Sequence, residues 1–134
     1  MTKEEILAVQ QSWRLLMNRM DDIGEKFYEN LFEEVPMFET LFTEGKAKQG
    51  SKLMNLIGLT VTKLNLEQPD QTISTVGKRH VAYGVKPEYF AKFGEVLMKT
   101  FKEALKDNWT PELESAWTKA YANMADLMVK AYRE

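Results

Sequence analysis

The sequence predicts an all-α, single-domain protein of about seven helical segments spanning residues 1–134. Three observations carry that prediction. Apolar residues recur at spacings of three and four along most of the chain, the period of a helix with one buried face. No stretch of strand length alternates apolar with polar residues. The breaks between periodic segments are short, marked by Pro, Gly or Asp, and have no linker, repeat or low-complexity character. The unequal segments favour a non-bundle helical packing over a simple four-helix bundle.

Thr2 and Glu5 stand at the spacing of a capping box, where each side chain satisfies a backbone N–H beside the other. They open a helix with the stripe Ile6, Val9, Trp13, Leu16, Met17 and Met20. Asp21 and Asp22 are placed to cap a second helix carrying Phe27, Leu31 and Phe32. Val35-Pro36 ends it, and Pro36 can start a short helical turn running to near Phe42. Gly45 marks a connection. A further helix carries Leu53, Leu56, Ile57, Val61 and Leu64 on one side. Gln68-Pro69-Asp70 interrupts it, and Asp70 can cap a helix through Ile73, Val76 and His80 that stops at Gly84. Pro87 opens the next, with Phe90, Phe93, Leu97, Phe101 and Leu105. Thr110 and Pro111 form an N-cap and first-position pair for the last helix. That helix aligns Leu113, Trp117, Tyr121, Met124, Leu127 and Met128.

Composition narrows the function classes. At 134 residues with 44% apolar side chains, one packed core is the natural solution. The 18 basic and 20 acidic groups leave a formal charge of −2, so there is no basic excess for nucleic acid. No apolar run is long enough to span a bilayer. No signal-peptide pattern follows Met1, so a soluble cytoplasmic protein is expected. The absence of cysteine fits a reducing compartment and removes a thiol nucleophile. A Ser–His–Asp triad would need the sole histidine, and Ser51 and Ser74 lack a nucleophile elbow. There is no glycine-rich phosphate loop. Asp21-Asp22 and Glu33-Glu34 read as solvated helix-end charges.

His80 is the chain's one histidine. It follows Val76 by four and Ile73 by seven, so its imidazole belongs to the apolar stripe. A bare metal site needs three or four nitrogen, sulfur or carboxylate ligands. A single histidine can still hold iron if a porphyrin supplies four nitrogens. An ordinary core histidine bonded to peptide groups satisfies the same pattern, so the neighbours have to separate the two.

Phe27-Tyr28-x-x-Leu31-Phe32, then Pro36, then Leu41-Phe42, resembles the early half of a globin. Gln49-x-x-Lys52-Leu53 resembles a globin's distal helix. Gly77-Lys78-Arg79-His80-x-x-Tyr83-Gly84-Val85 resembles the proximal helix and the corner after it. Ala116-Trp117-x-x-Ala120-Tyr121 resembles the last helix. The matches fall in the family's order and spacing over nearly the whole chain. They are most similar to single-domain bacterial globins and the globin part of flavohaemoglobins. Gln11-Ser12-Trp13-Arg14 and the stretch from Gly77 to Val85 also resemble neuroglobin-like sequences.

The resemblance implies a globin fold around a haem pocket, with haem b (iron protoporphyrin IX) as cofactor. It makes His80 the iron ligand, its other ring N–H directed one turn back to the Val76 carbonyl. It places Phe42 against the porphyrin face, and Val85, Phe90 and Phe93 on the proximal side. Leu53, Ile57 and Met124 line other parts of the pocket. Lys52 and Arg79 are candidates to pair with the haem propionates, although solvated helix faces account for them equally. Tyr28 and Gln49 become ligand-side residues able to donate hydrogen bonds to dioxygen. From the residues alone, Tyr28 could equally lie at the helix surface, and Gln49 sits in a polar run. With one histidine, two-histidine ligation is impossible. The resting sixth position is then empty, water, or a weaker ligand such as Tyr28 or a deprotonated Lys52.

Two departures bear on activity. Flavohaemoglobins continue into a reductase domain, whereas this sequence stops at Glu134. They also support the proximal histidine with a tyrosine and a glutamate, where this chain has Phe90 and Tyr132. Tyr89 is adjacent, but one helical residue turns a side chain by about 100°. The expectation is therefore a reversible binder of dioxygen, NO or a related diatomic. The alternatives are an NO dioxygenase served by a separate reductase, a gas sensor needing a partner protein, and a haem-free helical domain.

Overall fold

The structure, a computed structural model, describes residues 2–62 and 88–132, with side chains of the last helix described through Asp126. Among these residues it is all-α. Five helices run α1 Lys3–Met17, α2 Met20–Glu34, α3 Lys46–Thr62, α4 Tyr89–Leu105 and α5 Pro111–Tyr132. Short 3-10 turns cover Pro36–Thr40 and Lys106–Asn108. The predicted helix from Asp70 to His80 lies outside the described residues. No described helix is long and apolar enough to cross a membrane.

Local chemistry accounts for most ends. The Glu5 N–H donates to Thr2 Oγ1 at 3.1 Å, and the Thr2 N–H donates to Glu5 Oε1 at 2.8 Å, so the capping box is formed. Lys119 reaches the same carboxylate from α5 at 2.5 Å, and that ammonium holds the Glu5 carboxyl down to about 2. Thr110 Oγ1 accepts from the Leu113 N–H at 3.1 Å, with Pro111 as first helical residue. Gly45, with φ +96°, makes the left-handed turn before α3 that a side chain would resist.

The start of α2 corrects the sequence reading. The helix begins at Met20 rather than after an aspartate cap, and Arg19 at the cap makes no side-chain bond. The chain turns tightly out of α1, the Arg19 N–H donating to the Leu16 carbonyl and the Ile23 N–H to Arg19. Asp21 and Asp22 thus fall in the first turn, where negative charge still favours the exposed N–H groups.

The core forms where α2 packs on α3 and α4, and α5 packs on α1 and α4. Val9, Leu16, Leu31, Met54, Val96 and Phe101 are its fully buried centre. Two side-chain links cross it. Trp117 Nε1 donates to Ser12 Oγ at 2.8 Å, and that hydroxyl donates to the Val9 carbonyl at 2.9 Å. Asn30 Nδ2 donates to Thr100 Oγ1 at 3.1 Å, whose hydroxyl donates to the Val96 carbonyl at 2.8 Å. Ser12→Ala leaves the buried indole N–H without its acceptor. It should lower stability by about 1–3 kcal/mol, read as a reduced denaturant midpoint at unchanged slope.

Candidate functional site

The site is built where α2 crosses α3. Gly24 and Gly50 meet there so closely that a Cβ on either would lie 2.5 Å from backbone atoms of the other. Only glycine at both positions permits this approach. The crossing fixes two neighbours. Tyr28 lies one turn beyond Gly24 on α2, and Gln49 immediately precedes Gly50 on α3.

Tyr28 is buried, at 5% exposure, which resolves the choice left by sequence in favour of the interior. Its ring meets Phe27 edge-on at 4.9 Å, Phe32 at 5.7 Å and Phe42 at 5.2 Å. Burial pushes its phenol well above the usual tyrosine range, so it stays protonated and available as a donor. No described residue bonds that hydroxyl. Gln49 is half-buried, so it is neither free in solvent nor locked in the core.

A chain of aromatic contacts runs from Tyr28 to the first turns of α4. Phe42 meets Phe93 at 6.0 Å, and Phe93 meets Phe90 at a T-shaped 5.9 Å. Phe38 closes on Phe93 at 5.2 Å. Phe42 and Leu53 are half-buried and packed on the core, whereas Phe90, Phe93, Ile57 and Met124 are buried. Ile57 and Met124 share the wall of an apolar cleft between α3, α4 and α5, with Leu97, Trp117 and Tyr121. The structure therefore brings together Tyr28, Phe42, Phe90 and Phe93, and separately Ile57 and Met124.

Other expected residues stand apart. Lys52 is exposed, and its ammonium pairs with the Glu44 carboxylate. Tyr89 turns to Phe38, with ring centroids 4.8 Å apart, so its ring is engaged there. His80, Arg79 and Val85 lie outside the described residues, as does the Tyr132 side chain. No group of three or more His, Cys, Asp or Glu among the described residues could hold a bare metal ion.

Sequence reasoning missed three features. Met54, not Leu53, is the fully buried residue of α3, whose inner face is Gly50, Met54, Ile57 and Val61. The glycine crossing sets that rotation. Gly24 and Gly50, glycines inside helical patterns, were themselves the available signal. Tyr121 sat on a predicted stripe, but its bond to a distant carbonyl has no sequence signature.

The residues present fit a porphyrin. The wall is apolar and aromatic, as a flat macrocycle requires, and the protonated phenol of the buried Tyr28 has no described hydrogen-bond partner. The sequence model of the family described as Globin matches residues 25–128. An uncharacterized globin-like protein of Aquifex aeolicus (strain VF5) is 32% identical over 130 residues, covering 96% of this chain and 92% of that protein. A flavohemoprotein of Rhizobium meliloti (strain 1021) is 30% identical over 110 residues, 79% of this chain but 27% of that protein. The chain thus spans under a third of that relative. A bacterial globin from Campylobacter jejuni superposes with a TM-score of 0.83 at 27% identity, covering 99% of this chain and 100% of that one.

Proposed function

The chain belongs to the globin family, and on that premise we propose that it binds haem b through His80 and reversibly takes up dioxygen or another small diatomic such as NO. The observation that carries this reading is the Tyr28 hydroxyl. A buried phenol held protonated, with no hydrogen bond to described residues, is a donor kept for a ligand. Haem, when bound, supplies iron with a coordination position that a diatomic can fill.

The chain's own residues supply the rest. One ring nitrogen of His80 would hold the iron, with Val85 beside it. Phe42, Phe90 and Phe93 offer apolar surface to the macrocycle and exclude water from it. A hydrogen bond is stronger in such surroundings than in water. Tyr28 donates to the partial negative charge of a polar diatomic, and the Gln49 amide offers a second donor to the ligand or to Tyr28. Arg79 and Lys52 are the cations for the propionates. Lys52 would exchange its Glu44 partner to serve, a small step for an exposed pair.

The flavohemoprotein relatives favour a second reading, NO dioxygenation with electrons from a separate reductase. Against it stand Phe90, which has no hydroxyl to carry a hydrogen bond toward the proximal ligand, and Tyr89, whose ring lies on Phe38. Mixing the oxygenated protein with NO and cellular reductant separates the two. One oxidation without re-reduction supports a carrier, and sustained turnover supports the enzyme. Tyr28→Phe tests the donor directly. Losing one hydrogen bond to a polar ligand, about 1–3 kcal/mol, should speed dioxygen release by roughly 5- to 150-fold in stopped flow. An unchanged off-rate removes Tyr28 from its role.

A further inference from the structure

We propose that Tyr121 is a positioning residue for the haem, its hydroxyl pinning the first turn of α4 and so setting where Phe90 and Phe93 stand. This deepens the haem-binding reading and rests on it. The Tyr121 hydroxyl donates to the Phe90 carbonyl at 2.6 Å, from the middle of α5 to the second residue of α4. Glu88 at the N-cap of α4 makes no side-chain bond, and Lys92 ties the outer side of the first turn to Glu34 of α2 at 3.5 Å, so the Tyr121 hydroxyl holds this turn from the α5 side.

The seat for the ring is made by Gly94. A Cβ there would lie 2.4 Å from Tyr121 Cε1 and 2.7 Å from Cδ1. The ring can therefore lie flat on α4 only over a glycine, one turn after the carbonyl it bonds. Burial keeps the phenol protonated, so the donor is permanent over the physiological range. The same ring edges the apolar cleft with Ile57, Leu97 and Met124. Turning the hydroxyl to Phe90 keeps it satisfied away from that wall, as the Thr60 hydroxyl there is by the Leu56 carbonyl at 2.9 Å. Phe90 in turn meets Phe93, and Phe93 meets Phe42, so a shift of the first turn of α4 passes into the aromatic wall.

Two substitutions reach this contact by different routes. Tyr121→Phe keeps the ring and removes the donor. Gly94→Ala keeps the hydroxyl and displaces the ring. Ser12→Ala serves as the comparison, because it weakens a buried bond between α1 and α5, away from the first turn of α4. The measurement is the haem methyl proton resonances of the ferric cyanide form, together with the rate of haem loss to a scavenger protein. Tyr121→Phe and Gly94→Ala are both expected to move the haem methyl resonances and to speed haem loss several-fold, with Ser12→Ala resembling wild type in both. If one of the pair fails to fold, the other still decides. Haem resonances unmoved in the folded variants, or moved equally by Ser12→Ala, overturn the positioning role while leaving haem binding intact. A wild-type protein that takes up no haem overturns both.

Discussion

His80→Ala is expected to abolish the Soret band of protein reconstituted with haem under reducing conditions. The chain has one histidine and no cysteine, so no second nitrogen or sulfur side chain of comparable strength can replace the lost bond. The aromatic wall from Phe42 to Phe90 would still attract a porphyrin, but only through apolar contact. The stability readout should follow the spectrum. A ligand at 100 times its dissociation constant adds about 2.7 kcal/mol to folding, so haem should raise the melting temperature of wild type and leave His80→Ala at the apo value. Added imidazole should restore part of the Soret band in His80→Gly by filling the vacated space. A haem-free helical domain gives the opposite pattern, with colourless wild type and His80→Ala of equal stability.

What was legible in the sequence was what a few neighbouring residues determine. The capping box at Thr2 and Glu5, the Thr110-Pro111 start and the left-handed Gly45 each express backbone chemistry within one turn. The inner faces of α1 and α4 were legible too, because Val9, Trp13, Leu97 and Phe101 repeat at helical spacing, although Met17, expected on the α1 stripe, is exposed at the end of the helix. The rest depends on partners far along the chain. Ser12 and Trp117 meet across 105 residues, and neither announces the other. Tyr28 could face either way until α2 is laid on α3 and Phe42 closes on its ring. Leu53 outranks Met54 by hydrophobicity, yet the close approach at Gly50 turns Met54 inward. Burial of this kind is decided by how two helices cross, and a single helix carries only half of that information.

A large loss of stability is also expected at that crossing. Gly50→Ala or Gly24→Ala gains about 1 kcal/mol of intrinsic helix preference. Against that gain, the new Cβ meets three backbone atoms of the facing helix between 2.5 and 2.8 Å. Backbone cannot step aside as a side-chain tip can, so the helices must separate. Overpacking of this kind costs about 1–3 kcal/mol, and rigid neighbours put it at the upper end. The net loss is about 2 kcal/mol, a melting temperature lower by roughly 5–10 °C for a domain of this size. Gly58→Ala is the internal control. It makes the same gain, and its Cβ meets only the Trp13 ring edge at 3.1 Å, so it should stay close to wild type. The two crossing substitutions should also fail to add, because helices already parted by the first leave room for the second. On the ligand role proposed for Tyr28 and Gln49, parting the helices that carry them should also speed dioxygen release. Should Gly50→Ala prove as stable as Gly58→Ala, the close approach of Gly24 to Gly50 does not set the crossing of α2 and α3.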